Sequence, residues 1–331
     1  MNDDALARRI HDMALECGFD RCGMVPVSAL DGYADRLAER MARVPQSAPF
    51  YENAVTAFLR VREDHPWARS IIVCAFWLGR YRYPAPLRGR YAKAFFLSPE
   101  GVPECAARGD QLRFEAWLGE QGIRWAGGAE YGPRRVLPLR WAAVAAGLGI
   151  FRKNNFFYTE KGSSYELEGY LVDRELELRH ECRLKPCPEK CDLCRKACGT
   201  GALSASFAMN PLACVSFWTT FGRGAVPPPL QEEQFGLWVC GCDDCQDACP
   251  HNRRHDWDQG EDFPGLDGLL DLLRPENMAK APDEALRGRV IPRTEAHVMP
   301  DEAETLRLCA ARSLRNEARN AAARRDRGHG L

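Results

Sequence analysis

The sequence predicts a mixed α/β (α+β) chain in three segments, on three observations. Helix-like and strand-like patterns alternate over residues 1–180, cysteines crowd into 181–255, and residues 256–331 turn helical and charged. Alternation of this kind fits one α/β domain. With 331 residues and 45% hydrophobic content, the chain can bury one large core or two smaller ones without disulfide staples. Its formal net charge of −1 excludes a surface that, averaged over the chain, strongly seeks nucleic acid or membrane.

Leu6, Ile10, Met13, Ala14 and Cys17 recur at steps of three and four, which predicts an amphipathic helix stopping at Gly18 and leading into a strand, "RCGMVPV". "SIIVCAFWL" (70–78) is a β-branched and aromatic run of the kind that forms a buried strand. "RFEAWLGEQG" predicts a helix ending at Gly122, with "IRWAGG" as strand and turn after it. "LRWAAVAAGLGI" reads as a helix broken by Gly147 and Gly149, and "YELEGYLVDREL" (165–176) as another strand. Farther on, "FPGLDGLLDLLRPENMAKAP" predicts a leucine-rich helix between prolines, and "DEAETLRLCAARSLRNEARNAAARRDRG" one terminal helix. The N-terminus shows no apolar run long enough for a signal peptide or a membrane span, so a cytoplasmic location is expected.

In that reducing compartment, fifteen cysteines are better explained by metal ligation and a few buried thiols than by disulfides. Cys17, Cys22, Cys74 and Cys105 stand singly among apolar residues and read as small core hydrophobes. In "CPEKCDLCRKACG", by contrast, Cys187, Cys191, Cys194 and Cys198 are separated by three, two and three residues. Cys214 follows alone, and Cys242, Cys245 and Cys249 are separated by two and three residues before Pro250. A ferredoxin run is C-x2-C-x2-C-x3-C-P, in which three cysteines hold one [4Fe-4S] cluster and the fourth reaches to a second. Two such half-motifs predict two [4Fe-4S] clusters with crossed ligation: Cys187, Cys191, Cys194 and Cys249 on one, Cys198, Cys214, Cys242 and Cys245 on the other. Two structural zinc sites are the alternative. The thiolate-only composition and the C-x2-C-x3-C-P ending favour iron–sulfur. Cys182 and Cys240 are left over and read as a buried thiol or a substitute ligand.

The motifs "GCDDCQDACPHN", "ACVSF", "AAGLG", "KNN" and "GSS" resemble the epoxyqueuosine reductase family, which shares a cobalamin and double-cluster core with the reductive dehalogenases. The resemblance covers residues 130–255 well and the N-terminus loosely. It implies a nitroreductase-like α/β domain binding a corrinoid base-off, with no protein histidine on cobalt. A ferredoxin-like module would feed electrons one at a time, drawn from a donor such as a ferredoxin or flavodoxin. Consistently, the chain lacks the D-x-H-x-x-G run of histidine-ligating corrinoid proteins. The family's cofactor contacts fall on Asn154, on Phe157, Tyr158 and Thr159, on Phe217 and on Asp243. Isolated residues of these types would ordinarily be read as a turn asparagine and core aromatics.

Departures from the family pattern bear on the chemistry. The first cysteine gap is one residue longer than the family's, and Gly199 replaces the proline after the fourth cysteine. Ungapped counting back from Gly147 puts Pro133 where the family's reductases have their proton-donating acid in D-x-x-P-x-x-E-R, while Arg140 keeps the arginine. The proton donors nearest that position are Tyr131 and Glu130, with Arg134 or Arg135 as a cation able to stabilise a phenolate. Residues 256–331 are too short for the helical-repeat domain with which longer members grip tRNA. The basic stretch that remains, seven arginines from Thr305 onward against Glu317 and Asp326, reads as a phosphate-binding face or a solvated one. A small-molecule substrate, or a doubtful tRNA-borne one, is therefore expected for a cobalamin- and iron–sulfur-dependent reductase. The alternative is a non-catalytic electron-transfer or corrinoid-handling protein on the same scaffold.

Overall fold

A computed structural model describes residues 3–128, 137–294 and 297–328. Four strands form an antiparallel sheet in the order β1-β2-β6-β3: β1 (Arg21–Pro26), β2 (Ser70–Trp77), β3 (Trp125–Gly127) and β6 (Tyr165–Val172). A two-stranded ribbon, β4 (Ile150–Phe151) and β5 (Phe157–Tyr158), precedes β6.

The unbroken apolar run of β2 is explained by burial of both sheet faces, since successive side chains point to opposite sides. Ile72, Cys74 and Phe76 join one core with Cys22, Met24 and Tyr170. Ile71, Val73 and Ala75 join a second with Val25 and Leu171. Helices α1 (Asp3–Glu16) and α3 (Ala106–Glu120) bring Leu6, Ile10, Phe114 and Leu118 to the first face. Helix α4 (Leu139–Ala145) brings Ala142 and Ala143 to the second. Between β1 and β2, α2 (Tyr33–Arg43) and short helical turns build a smaller cluster around Tyr33, Leu37 and Tyr51.

Most sequence expectations in this region hold. Cys17, Cys22, Cys74 and Cys105 are buried as predicted. The "AAGLG" glycines are explained by close backbone approach. Gly147 has φ +74°, and a Cβ there would lie 1.8 Å from the His180 carbonyl oxygen; at Gly149 it would lie 2.2 Å from that of Tyr158. Gly147→Ala is accordingly expected to cost about 2 kcal/mol or more, read as a lowered thermal midpoint.

The region 263–282 corrects the sequence reading. It is not one helix but a 3-10 turn (Asp267–Leu269) and a short helix (Pro275–Met278). Gly265, at φ +67°, and Pro275 interrupt the helical pattern, yet Leu266, Leu269 and Leu273 still reach the core. The terminal helix is continuous, Ala303–Gly328. Its arginines are largely engaged within the chain: Arg307 pairs with Asp283 at 2.6 Å, Arg319 with Glu233 at 2.9 Å, and Arg312 is buried 4.3 Å from the Phe235 ring centre. Among the described residues, no helix is long and apolar enough to cross a membrane.

Candidate functional site

The cysteine module packs against the β4–β5 ribbon. Its helical turns are α5 (Leu193–Ala197), α6 (Val215–Trp218) and α7 (Asp244–Asp247), each too short to persist without tertiary packing. Packing comes from the loop between β4 and β5. Lys153 Nζ donates to the carbonyls of Pro188, Glu189 and Cys191 at 2.8, 2.6 and 2.9 Å. Arg152 Nη1 lies 3.7 Å from Cys187 Sγ. Asn252, from "CPHN", accepts from the Ser163 amide at 2.8 Å and donates to the Gln246 carbonyl at 2.9 Å, tying the "GSS" loop to α7.

The thiols gather in two neighbouring groups. Burial raises the pKa of Cys194, and Cys187, Cys191 and Cys249 push it further, against the Arg195 amide. Burial likewise raises Cys245, with Cys214 and Cys198 as its strongest thiol neighbours and Cys194 a weaker one. Cys242 is raised by burial, then by Asp244 and Cys214. Thiolates packed this densely repel one another unless a cationic centre neutralises them. Within the described residues no three cysteine sulfurs come within 4.8 Å of one another; only Glu100, Glu166 and Glu168 form a set that tight. One tetrahedral zinc, with bonds of about 2.3 Å, needs sulfurs roughly 3.8 Å apart.

A cavity of about 330 Å³ lies between α2, α4, the ribbon and β6. A smaller space of about 60 Å³ adjoins it, sharing Ala94, Phe156, Ser163 and Tyr165, and reaches Asp243, Gln246 and Asp247 of the cysteine module. Lys93 is the pin at that junction. Its Nζ lies 2.8 Å from both Asp243 and Asp247, and its amide donates to Asp243 at 2.9 Å. Burial pulls the Lys93 pKa down, but the two carboxylates outweigh it and leave it raised.

Of the six cofactor-contact residues expected from the sequence, two line these spaces, and Asn154, Tyr158, Thr159 and Phe217 are not among their described lining residues. Phe157 lines the main cavity and Asp243 the adjoining one. Asn154 donates to the Tyr158 hydroxyl at 2.9 Å and to the Cys245 carbonyl at 3.2 Å, while Tyr158 and Thr159 are fully buried. Phe217 packs edge-on to Phe50 at 5.8 Å. Asn155, next to Asn154, went unremarked in the sequence: at φ +65° its side chain is buried with neither amide atom hydrogen-bonded. Arg152 Nε is orphaned in the same loop. Neither residue is among the described lining of the cavity, but Arg40 Nε, which is, is also orphaned, and with aromatic walls around it the cavity fits a large flat group with polar edges better than a filled core. Tyr131, Glu130, Arg134 and Arg135 lie outside the described residues. Sequence reasoning missed Tyr33, Arg40, Tyr165 and Glu166 of the cavity wall. Glu166, 6% exposed, accepts from Ser98 at 3.0 Å.

Residues 187–252 match a family described as a 4Fe-4S double cluster binding domain. An epoxyqueuosine reductase of Gloeobacter violaceus is 31% identical over 260 residues, covering 75% of this chain and 76% of its own. One from Prochlorococcus marinus is 32% identical over 119 residues, covering 36% and 38%. In three dimensions, the crystal structure of an epoxyqueuosine reductase with an epoxyqueuosine-modified tRNA-Tyr stem loop superposes with a TM-score of 0.71 at 21% identity, covering 94% of this chain and 81% of that one. That likeness establishes a shared fold.

Proposed function

The chain belongs to the epoxyqueuosine reductase family of oxidoreductases and carries a double [4Fe-4S] cluster domain, and on that ground we propose that it is a corrinoid-dependent reductase acting at the cavity beside the cysteine module. The observation that carries this reading is the junction itself: the aromatic-walled cavity and the smaller space that reaches Asp243, which stands between Cys242 and Cys245 in sequence, share Ala94, Phe156, Ser163 and Tyr165. In the proposal Cys187, Cys191, Cys194 and Cys249 hold one cluster and Cys198, Cys214, Cys242 and Cys245 the other. The corrinoid is bound base-off against Asn154, Phe157, Tyr158, Thr159, Phe217 and Asp243; no histidine stands among the described residues lining either space. When bound, these groups supply low-potential single electrons and a cobalt centre able to take a leaving group from a substrate.

The chain's own residues orient, exclude water and move a proton. Phe156, Phe157 and Tyr165 wall the space against solvent, which strengthens any charge interaction inside it. The proton is delivered either by Tyr131, with Glu130 and Arg134 beside it in sequence, or by Glu166, the carboxylic acid in the described cavity wall. Tyr131→Phe and Glu166→Gln separate the two: the donor's variant is expected to lose roughly a hundredfold in turnover while keeping its cofactors. The segments 1–180, 181–255 and 256–331 are proposed to serve as corrinoid domain, ferredoxin-like module and helical extension.

Hydroxocobalamin added to iron-loaded protein under anaerobic conditions tests the reading. Retention through gel filtration and reductive conversion of epoxyqueuosine, free or on a tRNA stem loop, is the expected result. Retention without conversion of either assigns a different substrate. No retention favours an electron-transfer role on the same scaffold.

A further inference from the structure

Two arginines reach the main cavity, and among its described lining residues Glu166 is the sole acid. Arg40, on α2, is 6% exposed, and its Nε is buried without a hydrogen-bond partner. No carboxylate pairs with it among the described residues. Its guanidinium lies over the Phe151 ring, 5.5 Å from the centre. Burial lowers its pKa first, then the like charge of Arg140, while the Tyr33 and Tyr51 hydroxyls oppose the shift. Arg140, from α4, holds the carbonyl of Asn155 with one nitrogen.

A guanidinium cannot shed its proton inside a protein. Burying it without a counter-charge is costly, and a second guanidinium nearby adds to the cost. The ring beneath Arg40 compensates only in part. Among the described residues no carboxylate pairs with Arg40, and a guanidinium fork matches the oxygens of a carboxylate or phosphate. The walls around it, Tyr33, Phe58, Trp141 and Phe151, suit a planar apolar body.

We propose that Arg40 and Arg140 form an anion subsite, so that the ligand of this cavity is a planar or ring-bearing molecule with a phosphate or carboxylate. The proposal deepens the reductase reading and rests on it only for the chemistry after binding. Two sources offer such an anion: the phosphodiester of the corrinoid's nucleotide tail and an acidic group on the substrate.

Phenyl phosphate is the probe, titrated into iron-loaded protein by calorimetry with phenol as the neutral control. The wild type is expected to bind phenyl phosphate more tightly than phenol. Arg40→Met is expected to weaken phenyl phosphate roughly tenfold or more, leave phenol unchanged, and be partly rescued by Arg40→Lys. Arg140→Met, expected to behave as Arg40→Met does, replaces it if that variant fails to fold.

Cobalamin and cobinamide, which lacks the nucleotide phosphate, distinguish the sources. If the corrinoid supplies the anion, Arg40→Met weakens cobalamin but not cobinamide. If the substrate supplies it, both corrinoids bind the variant as they bind the wild type, and phenyl phosphate still binds the cobalamin-loaded protein. Equal binding of phenyl phosphate and phenol by the wild type, with both corrinoids indifferent to Arg40, overturns the subsite. Arg40-dependent binding of phenyl phosphate by protein that retains no corrinoid upholds the subsite and removes the reductase reading instead.

Discussion

Cys245→Ala protein, reconstituted anaerobically, is expected to hold about four irons per chain where the wild type holds about eight. Cys245 sits among Cys214, Cys198 and Cys242, so in the proposed assignment its loss leaves three thiolates for one cluster and all four for the other. Cys240→Ala is the matched control. Cys240 is fully buried, and burial, followed by the neighbouring Cys309, raises its thiol pKa. Its loss should leave the iron content unchanged and cost only packing. Equal iron in Cys245→Ala and wild type would remove Cys245 from the ligand set. A fall in Cys240→Ala would put Cys240 in it.

Lys93→Met is expected to destabilise the protein by about 3 kcal/mol or more, because it strands the buried carboxylate of Asp243 beside the partly exposed Asp247. Replacing both members, as in Lys93→Met with Asp243→Leu, should recover much of the loss, since an apolar pair carries no desolvation cost. The pH dependence is set by the raised lysine. A folded-state pKa above the unfolded value gives stabilisation that is complete below the unfolded value, about 10.4, and disappears as pH rises through the folded one. Melting temperatures of variant and wild type should therefore differ throughout the neutral range and converge only in strong alkali.

The parts of this architecture set by local pattern could be read from the sequence, and those set by distant approach could not. Strand β2 was recognisable because both its faces are buried. The antiparallel pairing of its neighbours carries no comparable signal, since register depends on partners a hundred residues away. The cysteine spacing was legible because short loops must converge on one centre. The leucines of 263–282 misled because residues packed from a 3-10 turn and a short helix can share the apolar periodicity of a continuous helix. Arg40 and Tyr33 sit in an ordinary amphipathic pattern on α2, and nothing in that pattern says that a cavity rather than solvent or core lies opposite. The basic terminal helix could be read as a phosphate-binding or a solvated face, but Glu232, Glu233 and Asp283 take up much of its charge from distant positions.

Whether the two thiol groups hold iron–sulfur clusters beside a corrinoid cavity is decided by metal quantification of protein reconstituted anaerobically with iron, sulfide and hydroxocobalamin and then desalted. About eight irons and about one cobalt per chain are expected, with a base-off cob(II)alamin band on reduction. Zinc in place of iron, or iron with no retained cobalt, would contradict that assignment.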